Sequence, residues 1–443
     1  YSGWSVSLSS DGSIVAIGAP FNDGSGNNSG HVRIYEWNDP SWVKMGEDID
    51  GEKAEDSAGR SVSLSSNGSI VAIGAPWNDD NGSKSGHVRI YEWNDPSWVK
   101  MGEDIEGDAT AALSLIGGDQ SGWSVSLDSS GTRVAIGAPY NHGNNNSNSG
   151  HVRIYEWNDP SWVKMGEDID GDAPYDQSGY SVSLSSNGSI VAIGAPFNDG
   201  IGNNNSNSGH VRIYEWKDPS WVQLGNDIDG DATADQSGYS VSLSSDGTRV
   251  AIGGPFHDDN VTRSGHVKIY QYVDTSWVKI GDIDGDGSDD YSGWAVSLSS
   301  DGTRVAIGAP YNDDNGSNSG HVKVYEIIPP DYLLEVDGDI SMNGDLLVGG
   351  TTTTNATIIT SDDRLKINEK YIENATDIIN KLKPQIYNKK KSLTSIATNK
   401  ESGMIAQDIY YDTEELRHLV KLGKGAKPTK DKPNVDGDPS IDP

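Results

Sequence analysis

The stretch that decides the fold is 2–37, SGWSVSLSSDGSIVAIGAPFNDGSGNNSGHVRIYEW, because its pattern returns along the chain. Variants of SGHVRIYEW occur six times, with 55 to 64 residues between successive histidines. With small variations, each copy keeps one order: SVSL, a tight turn that is DG or NG in all but the third copy, SIVAIGAP or TRVAIGAP, a polar loop and HVRIYEW, and all but the last continue into an SWV segment. The repeat histidines are His31, His87, His151, His210, His266 and His321.

These segments predict short β-strands. SVSL and HVRIYEW alternate with a period of two and are rich in Val, Ile and Tyr. The DG and NG pairs supply the positive φ angles that tight hairpins require. Four strands in a unit of about 56 residues is the pattern of a propeller blade, which buries its faces by stacking on neighbouring blades. We therefore predict a mainly β fold, with a six- or seven-bladed propeller of four-stranded blades over 1–331.

The sixth unit is shorter than the others. It breaks off after HVKVYEI and lacks the Ser-Trp-Val strand. The chain also opens inside a repeat, with YSGWSVSL. A blade, or part of one, is therefore expected before residue 1.

The repeat resembles the FG-GAP repeats of integrin-α-type propellers over residues 2–327. That family carries a calcium-binding D-x-D-x-D-G loop between the first two strands, where this chain has a short SSDG or SSNG turn. Between blades, Asp282, Asp284 and Asp286 alternate as in the first half of a calcium loop, but position 12 is Gly293 instead of glutamate. Two interpretations stay open, a solvated interblade turn and a weak calcium site; no other cofactor is predicted.

Two further residue types recur once per blade. A histidine at one strand position is predicted to be structural and hydrogen-bonded in its blade, since a ring of metal ligands needs all six to face one another. The tryptophans of the SWV segment are predicted to pack between blades, or, if exposed on one face, to stack on sugar rings. They are Trp42, Trp98, Trp162, Trp221 and Trp277.

A sialidase-type propeller is the enzymatic alternative. Its blades carry an S-x-D-x-G-x-x-W turn, whereas the SSDGS segment here has its glycine one place early and no tryptophan in step. The arginines of HVRIYEW are repeat-equivalent, so they are predicted to lie one per blade and not in one pocket. They are Arg33, Arg89, Arg153 and Arg212.

Charge divides the chain near residue 360. The formal net charge is −33, yet 361–443 has 15 Lys+Arg against 14 Asp+Glu. An acidic surface repels phosphates, so we expect no nucleic-acid partner for the first 360 residues. The chain has no cysteine, which excludes disulfides and thiolate metal sites. Because no apolar run approaches the roughly 20 residues of a membrane span, we expect no membrane insertion.

The connecting segment 332–360 reads YLLEVDGDISMNGDLLVGGTTTTNATIIT. Short alternating segments separated by DG, NG and GG turns have too little apolar surface for a core of their own. The segment resembles the strand-turn stalks of viral fibres, in which three chains share one core. A flexible linker is the alternative, and both interpretations stay open.

The last segment, 361–443, has a distinct pattern. Apolar residues at helical spacing predict an amphipathic helix over 371–383 that Pro384 ends, with QIYNKK and SGMIAQDI as strand-like or loop segments. Several motifs follow in order: S-D-x-R-L-K, the helix, L-x-P-x-x-Y and G-x-I-A-Q. The residues that carry them include Ser361, Asp362, Arg364, Lys366, Gly403 and Gln407.

This order of motifs resembles the endosialidase-type intramolecular chaperone found at the end of phage tail spikes and fibres. The resemblance implies a small α+β domain that forms a homotrimer, templates folding of the preceding fibre and then cuts itself off. Ser361 would be the nucleophile of a serine endopeptidase, Lys366 its base, and Thr360–Ser361 the bond cut. The alternative is that Ser361 is only a helix N-cap. The family continues into a long helix where this chain reads GKGAKPTKDKPNVDGDPSIDP, so the domain is expected to be incomplete.

Together these features predict a virion fibre or surface protein, located on the virion or outside cells. Its propeller would serve adhesion or display, with a host-surface glycan or protein as ligand, and its last domain would assemble and cleave. The first alternative is a cellular or secreted adhesion propeller with a non-cleaving trimerisation tail. The second is a propeller glycan hydrolase.

Overall fold

The structure is a computed structural model that describes residues 1–108, 118–142, 147–200, 206–258 and 261–327, and four short strands beyond them. The chain divides into two units, Tyr1–Leu333 and Leu334–Pro443. The first unit is a six-bladed β-propeller, which confirms the predicted fold. The stalk segment and the predicted helix lie outside the described residues.

Blade 1 shows the plan shared by blades 1 to 4. Its strands β1 (Ser5–Leu8), β2 (Ile14–Ala19), β3 (His31–Asn38) and β4 (Ser41–Lys44) form an antiparallel sheet in chain order. The two-residue strand β5 (Ile49–Asp50) pairs with the start of β3.

Blades 2 to 4 repeat this plan, whereas blade 5 has four strands and blade 6 has three among the described residues. Blade 2 contains β6 (Ser61–Leu64), β7 (Ile70–Ala75), β8 (His87–Asn94), β9 (Ser97–Lys100) and β10 (Ile105–Glu106). Blade 3 contains β11 (Ser124–Leu127), β12 (Arg133–Ala138), β13 (His151–Asn158), β14 (Ser161–Lys164) and β15 (Ile169–Asp170). Blade 4 contains β16 (Ser181–Leu184), β17 (Ile190–Ala195), β18 (His210–Lys217), β19 (Ser220–Gln223) and β20 (Ile228–Asp229). Blade 5 contains β21 (Ser240–Leu243), β22 (Arg249–Gly254), β23 (His266–Val273) and β24 (Ser276–Asp284), and blade 6 contains β25 (Ala295–Leu298), β26 (Arg304–Ala309) and β27 (His321–Glu326).

The turn between the first two strands of a blade is a side-chain-supported hairpin. In blade 1, Oδ1 of Asp11 accepts hydrogen bonds from the hydroxyl of Ser9 at 2.7 Å and the backbone N–H of Ser13 at 2.9 Å. Gly12 has a φ of +73°, as the DG pair predicted. The short turn thus uses its aspartate to hold the backbone.

The core consists of layers between blades. At the first junction, Val32 and Ile34 of blade 1 pack against Val62, Leu64 and Ile73 of blade 2. Four equivalent clusters fill the remaining described junctions. Each sheet therefore buries its apolar faces against its neighbours, as the repeat predicted.

The tryptophans of the SWV segment reinforce these junctions. The indole N–H of Trp98 donates to the carbonyl of Met45 in the preceding blade at 3.0 Å. Trp162, Trp221 and Trp277 make the same bond to Met101, Met165 and Leu224. Packing between blades is confirmed for these four, whereas Trp42 of blade 1 is 44% exposed.

Near the axis, neighbouring blades meet backbone to backbone. A Cβ on Gly137 would lie 2.0 Å from the carbonyl oxygen of Gly179 in the next blade. The hydroxyl of Ser124 donates to that same oxygen at 2.8 Å. The same Gly–Gly approach occurs at four other junctions, between Gly18 and Gly59, Gly74 and Gly122, Gly194 and Gly238, and Gly253 and Gly293. We call this contact the glycine junction.

The outward faces of blades 1 and 6 are exposed. Val6 and Leu8 on β1 are 63% and 59% exposed, and Val322 and Val324 on β27 are 70% and 66% exposed. At the described junctions between blades, the equivalent residues are covered by a neighbouring sheet. In the described part of the chain, these two faces have no such cover.

The second unit contributes four described strands. β28 (Gln385–Lys390) pairs antiparallel with β29 (Thr398–Gly403), and β30 (Val420–Lys421) pairs with β31 (Ser440–Ile441). QIYNKK is thus a strand, one of the two forms predicted for it. Among the described residues there is no helix with the length and apolar character needed to cross a membrane.

The glycine junction predicts a position-dependent response to one added methyl group. Gly137→Ala should lower the free energy of unfolding by about 3 kcal/mol or more, because the methyl would overlap a backbone carbonyl and break the Ser124 bond. Gly308→Ala is the matched control in blade 6, where the nearest atoms would lie at an ordinary 3.7 Å. Urea denaturation of both variants measures the difference, and equal losses would contradict the glycine junction as a packing limit.

Candidate functional site

The predicted cleavage site lies outside the part of the chain that the structure describes. Ser361, Lys366, Thr360, Asp362, Arg364 and Gln407 lie outside the described residues. Gly403 is the last residue of β29. Cleavage and its Ser–Lys pair therefore stay predictions.

Two of the three aspartates in the predicted calcium site are paired with lysines. Asp282 accepts a hydrogen bond from Lys279 at 2.7 Å, and Asp286 forms an ion pair with Lys323. Asp284 is the last residue of strand β24. A calcium ion would have to displace both lysines, and the calcium site stays a prediction.

Five of the six repeat histidines are buried, as expected for structural positions, and His321 is partly exposed. His31, His87, His151, His210 and His266 are at most 4% exposed. The predicted hydrogen bond is wrong for His87, because neither of its ring nitrogens has a partner. The rings face carboxylates at distances longer than a hydrogen bond, such as 3.7 Å from Nδ1 of His151 to Asp168. Burial lowers the pKa of His151 to about 4.

This burial predicts loss of stability in mild acid. The pKa of His151 in the unfolded chain is near 6.5, so between about pH 6.5 and 4 the unfolded state binds more protons than the folded state. The free energy of unfolding therefore decreases by about 3 kcal/mol as the pH falls through this range. Burial raises the pKa of Asp119 to about 6, which has the opposite sign and offsets part of the loss between about pH 6 and 4. His151→Gln should therefore show a smaller pH dependence of unfolding in urea titrations at pH 7, 5.5 and 4. Identical pH dependence in both proteins would contradict a buried neutral His151.

The repeat arginines are engaged in ion pairs within their own blades or across a junction. Arg33 pairs with Asp48 at 2.8 Å, and Arg89 contacts Glu52 at 3.3 Å. Arg153 binds Asp108 and Asp168, and Arg212 binds Asp172 and Asp227. As the repeat predicted, these arginines lie one per blade and do not share a pocket.

A different set of residues does converge, around the propeller axis. The residue just before each innermost strand lines a cavity of about 500 Å³ to which all six blades contribute. Five of these residues are aromatic and one is arginine: Trp4, Arg60, Trp123, Tyr180, Tyr239 and Trp294. We call this cavity the axial funnel.

A second set of rings surrounds the funnel. The residue after the Ala-Pro or Gly-Pro pair that ends the second strand is aromatic in every blade: Phe21, Trp77, Tyr140, Phe197, Phe256 and Tyr311. In each blade with an aromatic funnel residue, the two rings touch, with centroids 5.6 Å apart for Trp123 and Tyr140 and 5.9 Å apart for Trp294 and Tyr311. In five of the six blades, the funnel wall is thus backed by a second aromatic ring, and we call this second set the aromatic layer.

Arg60 is the one non-aromatic residue among the six that surround the axial funnel. Its guanidinium carbon lies 4.1 Å from the ring centroid of Trp123 and 5.3 Å from that of Trp4. Burial lowers the pKa of Arg60, and the residues lining the funnel include no Asp or Glu. Aromatic faces stabilise a buried cation only in part, so an anionic ligand group would complete its surroundings.

The funnel suits binding better than hydrolysis. Its volume falls within the usual range for ligand sites, and its walls are ring faces with tyrosine hydroxyls among them. Hydrolysis of glycosides generally requires a pair of carboxylates. Within the described lining no carboxylate is present, so the glycan hydrolase alternative gains no support from this cavity.

Sequence reasoning missed the funnel, although a signal was present. The position before SVSL reads Trp, Arg, Trp, Tyr and Tyr in the first five repeats, and Trp before AVSL in the sixth. A repeat-by-repeat comparison of this one position would have singled out Arg60.

Family comparisons bear on both parts of the chain. Residues 361–416 match the family described as chaperone of endosialidase, and residues 50–91 and 277–325 match the FG-GAP repeat. The chain thus carries FG-GAP repeats and then an endosialidase-chaperone segment. Both predicted resemblances are confirmed. No curated protein matches the chain.

The chain is only distantly similar to solved structures. A Bacteroides uniformis protein provisionally assigned as a 6-phosphogluconolactonase is 13% identical, with 73% of this chain and 80% of that chain covered and a TM-score of 0.49. Hydrazine synthase of Kuenenia stuttgartiensis is 12% identical, with 73% and 82% covered and a TM-score of 0.46. Nothing about function follows from similarities at this level.

Proposed function

We propose that this is a virion fibre or surface protein with an adhesive propeller head and a self-processing chaperone tail. The observation that carries the proposal is the chaperone-of-endosialidase match at 361–416 behind the propeller. The tail would assist assembly of a homotrimer and then cut the bond between Thr360 and Ser361. The protein would act outside cells or on the virion.

The cleavage chemistry follows from the two residue types. The hydroxyl oxygen of Ser361 attacks the carbonyl carbon of Thr360 while Lys366 accepts the hydroxyl proton. The peptide C–N bond breaks, the nitrogen of Ser361 takes up a proton, and water hydrolyses the ester that remains. Lys366 can act as a base only if burial lowers its pKa, and packing in a trimer would provide that burial. Cleavage would then follow assembly.

The test compares the intact mass of the full natural chain with that of the Ser361→Ala variant. The natural chain should yield a fragment that begins at Ser361, and the variant should stay uncut because it has no nucleophile. Ser392→Ala is the matched control in the same segment and should cleave normally. Uncut natural chain that is trimeric by light scattering would overturn self-cleavage and favour the adhesion propeller with a non-cleaving tail.

The propeller's ligand is proposed to be an acidic saccharide held in the axial funnel. Ring faces such as those of Trp123 and Tyr180 stack on the apolar faces of pyranose rings. The guanidinium of Arg60 would bind a carboxylate in the bidentate geometry that arginine favours. The funnel volume of about 500 Å³ accommodates one or two sugar units.

Arg60→Gln tests this ligand class. Binding of carboxylated oligosaccharides on a glycan array should weaken about 10- to 100-fold, since a hydrogen bond to a charged group contributes about 1.5–3 kcal/mol. Binding of neutral oligosaccharides with the same backbone should change little. Arg33→Gln, which removes an arginine paired with Asp48 outside the funnel lining, is the matched control. Equal affinity of the natural protein and Arg60→Gln for carboxylated sugars would refute the assignment.

A further inference from the structure

Blade 5 departs from the other blades at two nearby positions. In each blade, one residue directly follows the aromatic residue of the second set described above. It is His257 in blade 5 and asparagine in the other blades: Asn22, Asn78, Asn141, Asn198 and Asn312. The last residue of the second strand is Gly254 in blade 5 and alanine elsewhere: Ala19, Ala75, Ala138, Ala195 and Ala309. The two departures occur in the same blade, so they invite one explanation.

In blades 4 and 6, the equivalent asparagine donates to a buried aspartate. Asn198 donates to Asp176 at 3.0 Å in blade 4, and Asn312 donates to Asp290 at 2.8 Å in blade 6. The equivalent aspartate of blade 5 is Asp235, which is 1% exposed. Its Oδ1 lies 2.9 Å from Nδ1 of His257. Blade 5 therefore keeps the buried carboxylate and replaces its amide partner by an imidazole.

Gly254 places a second imidazole beside the first. The ring of His266 stacks on that of His257, with centroids 4.0 Å apart and an angle of 27° between the planes. A Cβ on residue 254 would lie 2.6 Å from Nε2 of His266, so the alanine of the other blades is incompatible with this ring position. The glycine is thus the change that accommodates the histidine pair.

These three side chains present converging ligand atoms. One atom from each of Asp235, His257 and His266 lies within 4.8 Å of the other two. Ligands about 2.0–2.2 Å from a zinc ion lie roughly 3.3–3.6 Å from one another, so small side-chain shifts would complete the site, with Asp235 and His257 moving slightly apart from their 2.9 Å contact. Two imidazoles with one carboxylate is a donor set that suits Zn²⁺ and related transition metals.

We propose that Asp235, His257 and His266 bind one transition-metal ion of the Zn²⁺ type, with an open position for water. The nearest lysine on the same strand, Lys268, is paired with Asp231. His257 directly follows Phe256, which belongs to the aromatic layer around the axial funnel. The ion would hold that loop against strand β23 and so fix one wall of the funnel. The site does not depend on the ligand proposed for the funnel.

The test is Zn²⁺ binding to the full chain, freed of metal with a chelator, by isothermal titration calorimetry. The natural protein should bind one Zn²⁺ at blade 5. His257→Asn, which restores the residue of the other blades, should weaken that binding by at least about tenfold. Its melting temperature in chelator should stay close to that of the natural protein, because the asparagine–aspartate bond replaces the imidazole contact.

A gain-of-site variant separates this proposal from general binding to acidic groups. Ala195→Gly combined with Asn198→His copies the blade 5 pattern into blade 4, beside Asp176 and His210, and should add a second Zn²⁺. Zn²⁺ binding that is equal in the natural protein and in His257→Asn would overturn the proposal. So would X-ray absorption of the zinc-loaded protein without imidazole ligands.

Discussion

The propeller depends on how closely two sheets can approach at its axis. At the glycine junction, the backbone of one blade contacts the carbonyl of the next, and a serine hydroxyl completes the contact. A methyl group has no room there, so the inner strands lie as close together as backbone allows. This spacing lets the valines and isoleucines of neighbouring sheets interlock farther out.

The same close approach brings the residues of the axial funnel together. Residues just before the inner strands must converge on the axis, whatever their chemistry. Because these positions are repeat-equivalent, identical residues there would give a ring of identical groups. Binding one ligand in one orientation requires different groups, and the chain supplies one by placing Arg60 among aromatic rings. The histidine pair of blade 5 breaks the repeat in a similar way.

Electrostatics makes Arg60 a local exception. The chain carries a formal net charge of −33, and the repeat arginines are neutralised by nearby aspartates and glutamates. A carboxylated ligand such as the one proposed would be repelled by the net negative charge of the chain and attracted by the guanidinium in the funnel, where low polarity strengthens the interaction. Such an arrangement favours selective binding over general attraction of anions.

The sequence by itself determined the propeller, the strand order within a blade, the DG and NG turns and the two family resemblances, because each is local or repeated. It also predicted that Trp98 and its equivalents pack between blades, and that Arg33 and its equivalents stay apart. Only the tertiary structure decided which residues meet at the axis. Arg60 and Trp123 are far apart in the chain and come within 4.1 Å because blades 2 and 3 stack side by side. Likewise, the repeat pattern marks Gly254 and His257 as departures, but only the structure shows that His257 stacks on His266 and that His87 lacks hydrogen-bond partners.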